Sequence, residues 1–88
     1  MEFDWDHGNR EKCQKHGLSV AEIEYALING ARVAPDPMHS GKEQRFIAVS
    51  RAPDNRPVFV AFCWRGDRLR PISARYMHSR EVARYENT

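Results

Sequence analysis

The sequence has little of what the commonest staples, anchors and catalytic devices require. It holds two cysteines, Cys13 and Cys63, far apart and with no Cys-x-x-Cys spacing, which excludes a disulfide scaffold and a thioredoxin-like motif. Reduced thiols and a cytoplasmic protein are the expectation. The N-terminus is acidic and no long apolar run follows it, so no secretory signal is expected. No stretch approaches the ~20 apolar residues of a membrane span. There is no phosphate-loop glycine pattern and no nucleophile elbow. His7, Cys13 and His16 lie on or near one predicted helix but supply three donors where structural zinc takes four, so neither a metal nor a cofactor is expected. Net charge is +2, too mild to mark a nucleic-acid binder by itself. Lysine stops at Lys42, and every basic residue from Arg65 onward except His78 is arginine.

What is present suits one folded domain over residues 1–88, with 41% apolar content. Glu2 to Trp5 alternates acid and aromatic and predicts a strand with Phe3 and Trp5 on one face. Asp6 can cap a helix from about His7 to His16, which Gly17 would stop. Ser19 and Glu22 form a capping box, with Leu18 and Ile23 as its hydrophobic staple. Ile23, Ala26 and Leu27 continue as a helical stripe to Gly30. Short strands are predicted at Ala31–Ala34 and Glu43–Ser50. Val58–Trp64 is apolar enough to be a central strand covered on both faces. Arg65-Gly66-Asp67 turns the chain into a last strand, and a helix from His78 to Asn87 would turn Val82 and Tyr85 inward.

The expected class is α+β in the order β-α-α-β-β-β-β-α. Hairpin-length turns between the last strands predict a mainly antiparallel twisted sheet with the helices on one side.

The basic third of the chain carries the functional signal. Arg65, Arg68, Arg70, Arg75, Arg80 and Arg84 face Asp67, Glu81 and Glu86. Strict alternation through Pro71 would bury Arg75 and expose Ile72. One extra residue at Pro71-Ile72 restores a sensible phase, with Arg68, Arg70, Ser73 and Arg75 on one face and Leu69, Ile72 and Ala74 on the core face. Arg80 and Arg84 share one side of the final helix. Guanidinium groups are planar forks suited to phosphate or carboxylate, so this arrangement predicts convergence on one anion-binding groove. A solvated strand face with snorkelling side chains is the bland alternative.

Phe3-x-Trp5-Asp6, Lys15-His16-Gly17 before a capped helix, Glu43-x-Arg45, Arg70-x-x-Ser73-Ala74-Arg75 and Arg80-Glu81-x-x-x-Tyr85 together resemble the BrnT family of toxins from type II toxin–antitoxin modules. The resemblance spans nearly the whole chain. It departs at Pro71, where members usually have an aliphatic residue, at His78, and at the Val20-Ala21-Glu22-Ile23 start of the second helix. It implies a RelE-like fold and a single toxin-like domain. It also implies RNA cleavage that arrests translation, with RNA, on the ribosome or free, as the substrate, and neutralisation by a cognate BrnA-like antitoxin. That antitoxin would be a DNA-binding dimer through which the complex meets operator DNA.

Cleavage of RNA through its own 2′-hydroxyl needs a base, an acid and cations around the charged phosphorane, and no metal. Arg70, Arg75 and Arg80 are candidates for the charge role, and Arg65, Arg68 and Arg84 for tracking the RNA backbone. His16 suits proton transfer but could equally cap helix carbonyls. Lys15 could act by charge or be solvated surface. Glu81 could be a base or the N3 capping residue of the last helix. Trp5 and Trp64 could stack on bases or pack in the core. A non-catalytic protein- or RNA-binding module using the same arginine face is the alternative function.

Overall fold

Glu2-Phe3-Asp4 and Arg68-Leu69-Arg70 are complementary triplets, each an apolar residue between two charges, with opposite signs. In the computed structural model, which describes residues 1–86, they lie side by side. Strand β1 (Glu2–Phe3) runs parallel to β5 (Arg68–Tyr76), with Glu2 beside Arg68 and Phe3 beside Leu69. The Asp4 N–H then donates to the Leu69 carbonyl at 2.9 Å. The chain between them runs α1 (His7–Gln14), α2 (Val20–Ile28), β2 (Arg32–Pro35), a 3₁₀ turn (Pro37–His39), β3 (Phe46–Arg51) and β4 (Pro57–Arg65). Helix α3 (Ser79–Glu86) follows β5. The predicted order of strands and helices is therefore present, and the domain is α+β.

Among the described residues the strands form one five-stranded sheet in the order β1-β5-β4-β3-β2. The sheet is mixed. Three pairings are antiparallel and join strands consecutive in sequence, whereas β1 pairs parallel to β5. A hairpin forces antiparallel pairing, and β1, linked to β5 only through the rest of the chain, escapes that constraint.

Both predicted caps are present. The Asp6 carboxylate accepts from the Asn9 N–H, and the Asn9 side chain accepts from the Asp6 N–H. Ser19 and Glu22 close the second box, with Leu18 and Ile23 buried around it. Helix α1 ends at Gln14 rather than His16, and Gly17 turns the corner at φ +97°. That region costs an L-residue with a Cβ strain that glycine avoids.

The core lies between α1, α2 and one face of the sheet. Ala48, Val60 and Ala74 form one row across β3, β4 and β5, and Phe46, Phe62 and Pro71 form the next. Cys13, Leu18, Ile23, Ala26 and Leu27 close on them from the helices. Phe62 stacks on Phe46 at 5.5 Å and meets Trp64 edge-on at 6.0 Å. Each large side chain buried here contributes about 1.5–3 kcal/mol.

Two expectations about the sheet need correction. Strand β4 is central but is not covered on both faces: Val58, Val60 and Phe62 are buried while Phe59 and Ala61 are only half-buried. Helices α1 and α2 shield one face, while α3 and residues 36–45 cover the other only in part. The predicted bulge exists, with Phe62 opposite Pro71, Ala61 opposite Ser73, and Ile72 the extra residue. Its phase differs, however, because Pro71 enters the core and Ile72 stays half-buried. Pro71 fits because its missing donor is tolerated at a bulge, and its carbonyl accepts from the buried Asn9 amide at 2.9 Å. The same amide nitrogen donates to the Asp4 carbonyl at 2.9 Å, so one side chain joins α1, the β1 end and the bulge.

The helices also do not all lie on one side. Val82 and Tyr85 of α3 share a cavity with Val49, on the sheet face opposite α1 and α2. The helix is shorter than predicted at its start, since His78 is the residue before it and donates its N–H to Glu81. Asn87, its predicted end, lies outside the described residues.

Candidate nucleic-acid interface

The bulge decides where the arginines point. Leu69, Pro71 and Ala74 face the core, so Arg68, Arg70, Ser73 and Arg75 fall on the other face, as the sequence predicts. The same alternation places Phe59, Ala61 and Cys63 there from β4 and Ile47 and Val49 from β3.

Arg65, at the end of β4, and Arg68, Arg70 and Arg75 are held by carboxylates of the chain itself. Arg75 makes a bidentate pair with Glu81, at 2.8 and 2.9 Å. Its guanidinium also lies over the Phe59 ring at 4.5 Å. Arg65 makes a second bidentate pair, with Glu43, at 2.7 and 3.0 Å. Arg70 sits between Asp4 at 3.2 Å and Asp6 at 3.0 Å. Arg68 reaches Glu2 at 3.2 Å from a more exposed position. The acids concentrated in the first half of the sequence thus return, through the parallel β1–β5 pairing, to hold the basic strand. Such forks fix the orientation of a guanidinium better than they stabilise the fold.

Glu81 shows the effect most strongly. The Arg75 fork, then the His78 N–H, draws its carboxyl from an ordinary 4.5 down to about 2. A carboxylate so well satisfied is a poor proton acceptor at neutral pH. The geometry suits it to capping α3 and orienting Arg75. Arg75 is held more firmly charged in return.

The arginines do not share one pocket. Arg65 and Arg70 line a cavity of about 410 Å³ with His39, Lys42, Glu43, Arg45, Cys63 and Ile72. Arg75 lies farther along the face beside α3, and Arg68 at the β1 edge. Arg80 and Arg84 are exposed on α3 and make no ion pair among the described residues. Cys63 is 2% exposed at the cavity, and burial followed by the Glu43 charge pushes its thiol up.

Lys15 and His16 stand on the exposed corner after α1. Lys15 shares a shallow surface hollow with Gly8, Glu11 and Lys12. A side chain added at Gly17 would meet the Tyr76 ring at 3.9 Å, so this corner sits at the C-terminal end of β5, on the covered face opposite the Arg75 side chain. No hydrogen bond or ion pair links Lys15 or His16 to Arg75, Arg80 or Glu81 among the described residues. Trp5 packs against the core and its indole N–H donates to Glu24 at 2.8 Å, while Trp64 remains 43% exposed. Cys13 is fully buried, its thiol pushed up to about 11, while His7 and His16 are exposed, so the three do not meet.

The sequence reading left Lys42, Glu43 and Arg45 without roles. Their signal was a Lys-Glu-x-Arg run immediately before β3. It is a weak one, because nothing local shows that this run folds back over Arg65 and Arg70.

No curated protein matches this chain individually. Residues 5–81 match the family described as ribonuclease toxin, BrnT, of type II toxin–antitoxin system. The match begins at Trp5, takes in both capped helices, the bulged arginine strand and the Arg75–Glu81 pair, and stops before Arg84. It covers most of the 88 residues, and the chain therefore belongs to the BrnT family of ribonuclease toxins.

Proposed function

We propose that the protein is a cytoplasmic, metal-independent endoribonuclease toxin that cleaves RNA, arrests translation and is silenced by a cognate antitoxin. The family match running through the Arg75–Glu81 pair carries this reading. The 2′-hydroxyl of the RNA attacks its own phosphodiester, and negative charge builds on the phosphorane oxygens. Arg75, pre-aligned by Glu81 and still 39% exposed at its side chain, meets that charge together with Arg80 from the first turn of α3. Donors fixed in advance contribute roughly 3–4 kcal/mol each to such a barrier. Arg70, held between Asp4 and Asp6, adds positive charge to the same face. Arg65, Arg68 and Arg84 track the backbone. Lys15 and His16, on the exposed corner after α1, complete the set of candidate catalytic groups, with His16 the candidate proton carrier. A RelE-like relationship of the fold fits the strand and helix order.

The antitoxin is proposed to be a DNA-binding dimer that covers the arginine face of two toxins and brings them to operator DNA. A second reading is favoured by the internal carboxylates: four arginines already paired suit a binding module that performs no chemistry. Incubation with RNA and with translating ribosomes, beside Arg75→Ala and Arg80→Ala, separates the two. Cleavage by the parent and its loss in the variants supports the toxin. Binding without product in all three supports the module.

A further inference from the structure

The cavity between the Asp36–Arg45 segment and strands β4 and β5 brings four cations to one wall system: Lys42, Arg45, Arg65 and Arg70. One carboxylate, Glu43, lines it with them. Arg70 is held from outside by Asp4 and Asp6, and His39 by Asp36 at 2.8 Å. Lys42 and Arg45 have no carboxylate partner among the described residues. The Arg45 backbone, by contrast, is tightly held. Its N–H donates to the Ser40 hydroxyl at 2.9 Å and its carbonyl accepts from Asp36 at 2.8 Å. The arginine is therefore presented from a fixed backbone with its charge unspent. Ile72, displaced to this face by the bulge, supplies an apolar wall.

Glu43 indicates what fits there. The two carboxylate oxygens that accept from the Arg65 fork, at 2.7 and 3.0 Å, occupy the positions that two phosphate oxygens would take. Glu43 itself is exposed, so exchange for an external anion needs no unfolding. The volume, about 410 Å³, suits a nucleotide-sized group rather than a folded protein surface. We propose that this cavity is a phosphodiester subsite for the RNA backbone, with Lys42 and Arg45 as its ligands and Arg65 exchanged from Glu43 onto an RNA phosphate. The subsite deepens the ribonuclease reading and rests on it. It lies on the same face as Arg75, so a single strand crossing β4 and β5 would be gripped here and cleaved farther along.

The test is fluorescence anisotropy of a short 2′-O-methyl single-stranded RNA, which binds but has no free 2′-hydroxyl to attack, titrated over a range of salt. Each phosphate contact adds about 0.7 to the slope of log affinity against log salt for single strands. The double variant K42A/R45A is expected to lower that slope by about 1.4 and to weaken binding about tenfold at low salt. E43Q, which releases Arg65, is expected to bind more tightly, by up to about fivefold. A gain of affinity cannot arise from misfolding. An unchanged slope in K42A/R45A, or no gain in E43Q, overturns the subsite. So does loss of antitoxin binding in K42A/R45A with RNA binding intact, which assigns the cavity to a protein partner. Cleavage of an unmodified RNA by the parent is measured in parallel. Cleavage with an unchanged slope overturns the subsite alone, whereas a parent that neither binds nor cleaves overturns the ribonuclease reading with it.

Discussion

On one face of the sheet Ala48, Val60 and Ala74 lie in a row, sealed by α1 and α2. One residue along, on the other face, Val49, Phe59 and Arg75 lie in a row that ends in a guanidinium held by Glu81. The same three strands build both rows. The covered row is held by removal of apolar surface from water, which is non-directional and tolerates no void. The open row is held by forks and ring faces, which are directional and contribute little net stability in partial exposure. The lesson is a division of labour within single strands: alternate residues hold the fold, and the residues between them aim charge.

The largest expected effect lies on the covered face. Phe62→Ala should cost about 3–5 kcal/mol in urea denaturation, because it deletes the centre of the Phe46–Phe62–Trp64 cluster. Arg75→Ala comes next. RNA cleavage should fall by about 10²–10³-fold, while stability changes by no more than about 1 kcal/mol. A stability loss comparable with Phe62→Ala would break the comparison, since the open face would then be structural too.

Asn9→Ala tests the joint between the faces. It removes both bonds to the Asp4 and Pro71 carbonyls and leaves them without this donor. The expected loss is about 1–3 kcal/mol by thermal or chemical unfolding.

The smallest effect is a pH dependence. Glu81 is lowered from 4.5 to about 2 in the folded chain, by Arg75 first and the His78 N–H second. A carboxyl depressed on folding adds stability that is fully present above its unfolded value and is lost as pH falls through its folded value. E81Q should therefore melt below the parent at neutral pH, and the gap should close as pH falls from 4.5 toward 2. A gap independent of pH would assign the Glu81 contribution to packing instead of charge.

Local rules accounted for more of the covered face than of the open one. The caps at Asp6 and Ser19, the stop at Gly17 and the helical stripe Ile23-Ala26-Leu27 depend on neighbours within a turn or two, so they are legible in order along the chain. The bulge was legible too, because no regular ladder could bury Leu69 and Ala74 while exposing Arg75. Which of Pro71 and Ile72 would enter the core was not legible, since that choice depends on Phe62 opposite and on Asn9 reaching the Pro71 carbonyl from α1. The placement of α3 on the far face escaped for the same kind of reason. Its Val82 and Tyr85 stripe shows that it packs, but not that Val49 is what α1 and α2 leave uncovered.

Composition and spacing determined that this chain would fold as α+β, with two capped helices ahead of a bulged, arginine-rich strand, because capping, alternation and turn chemistry act over a few residues. Tertiary structure alone decided which anion each arginine would meet. Glu43 comes to Arg65, Asp4 and Asp6 to Arg70, and Lys42 and Arg45 are left with none among the described residues, because β1 closes in parallel on the last strand and residues 36–45 fold back over it. Coulomb energy depends on separation in space, and separation along the chain does not predict it.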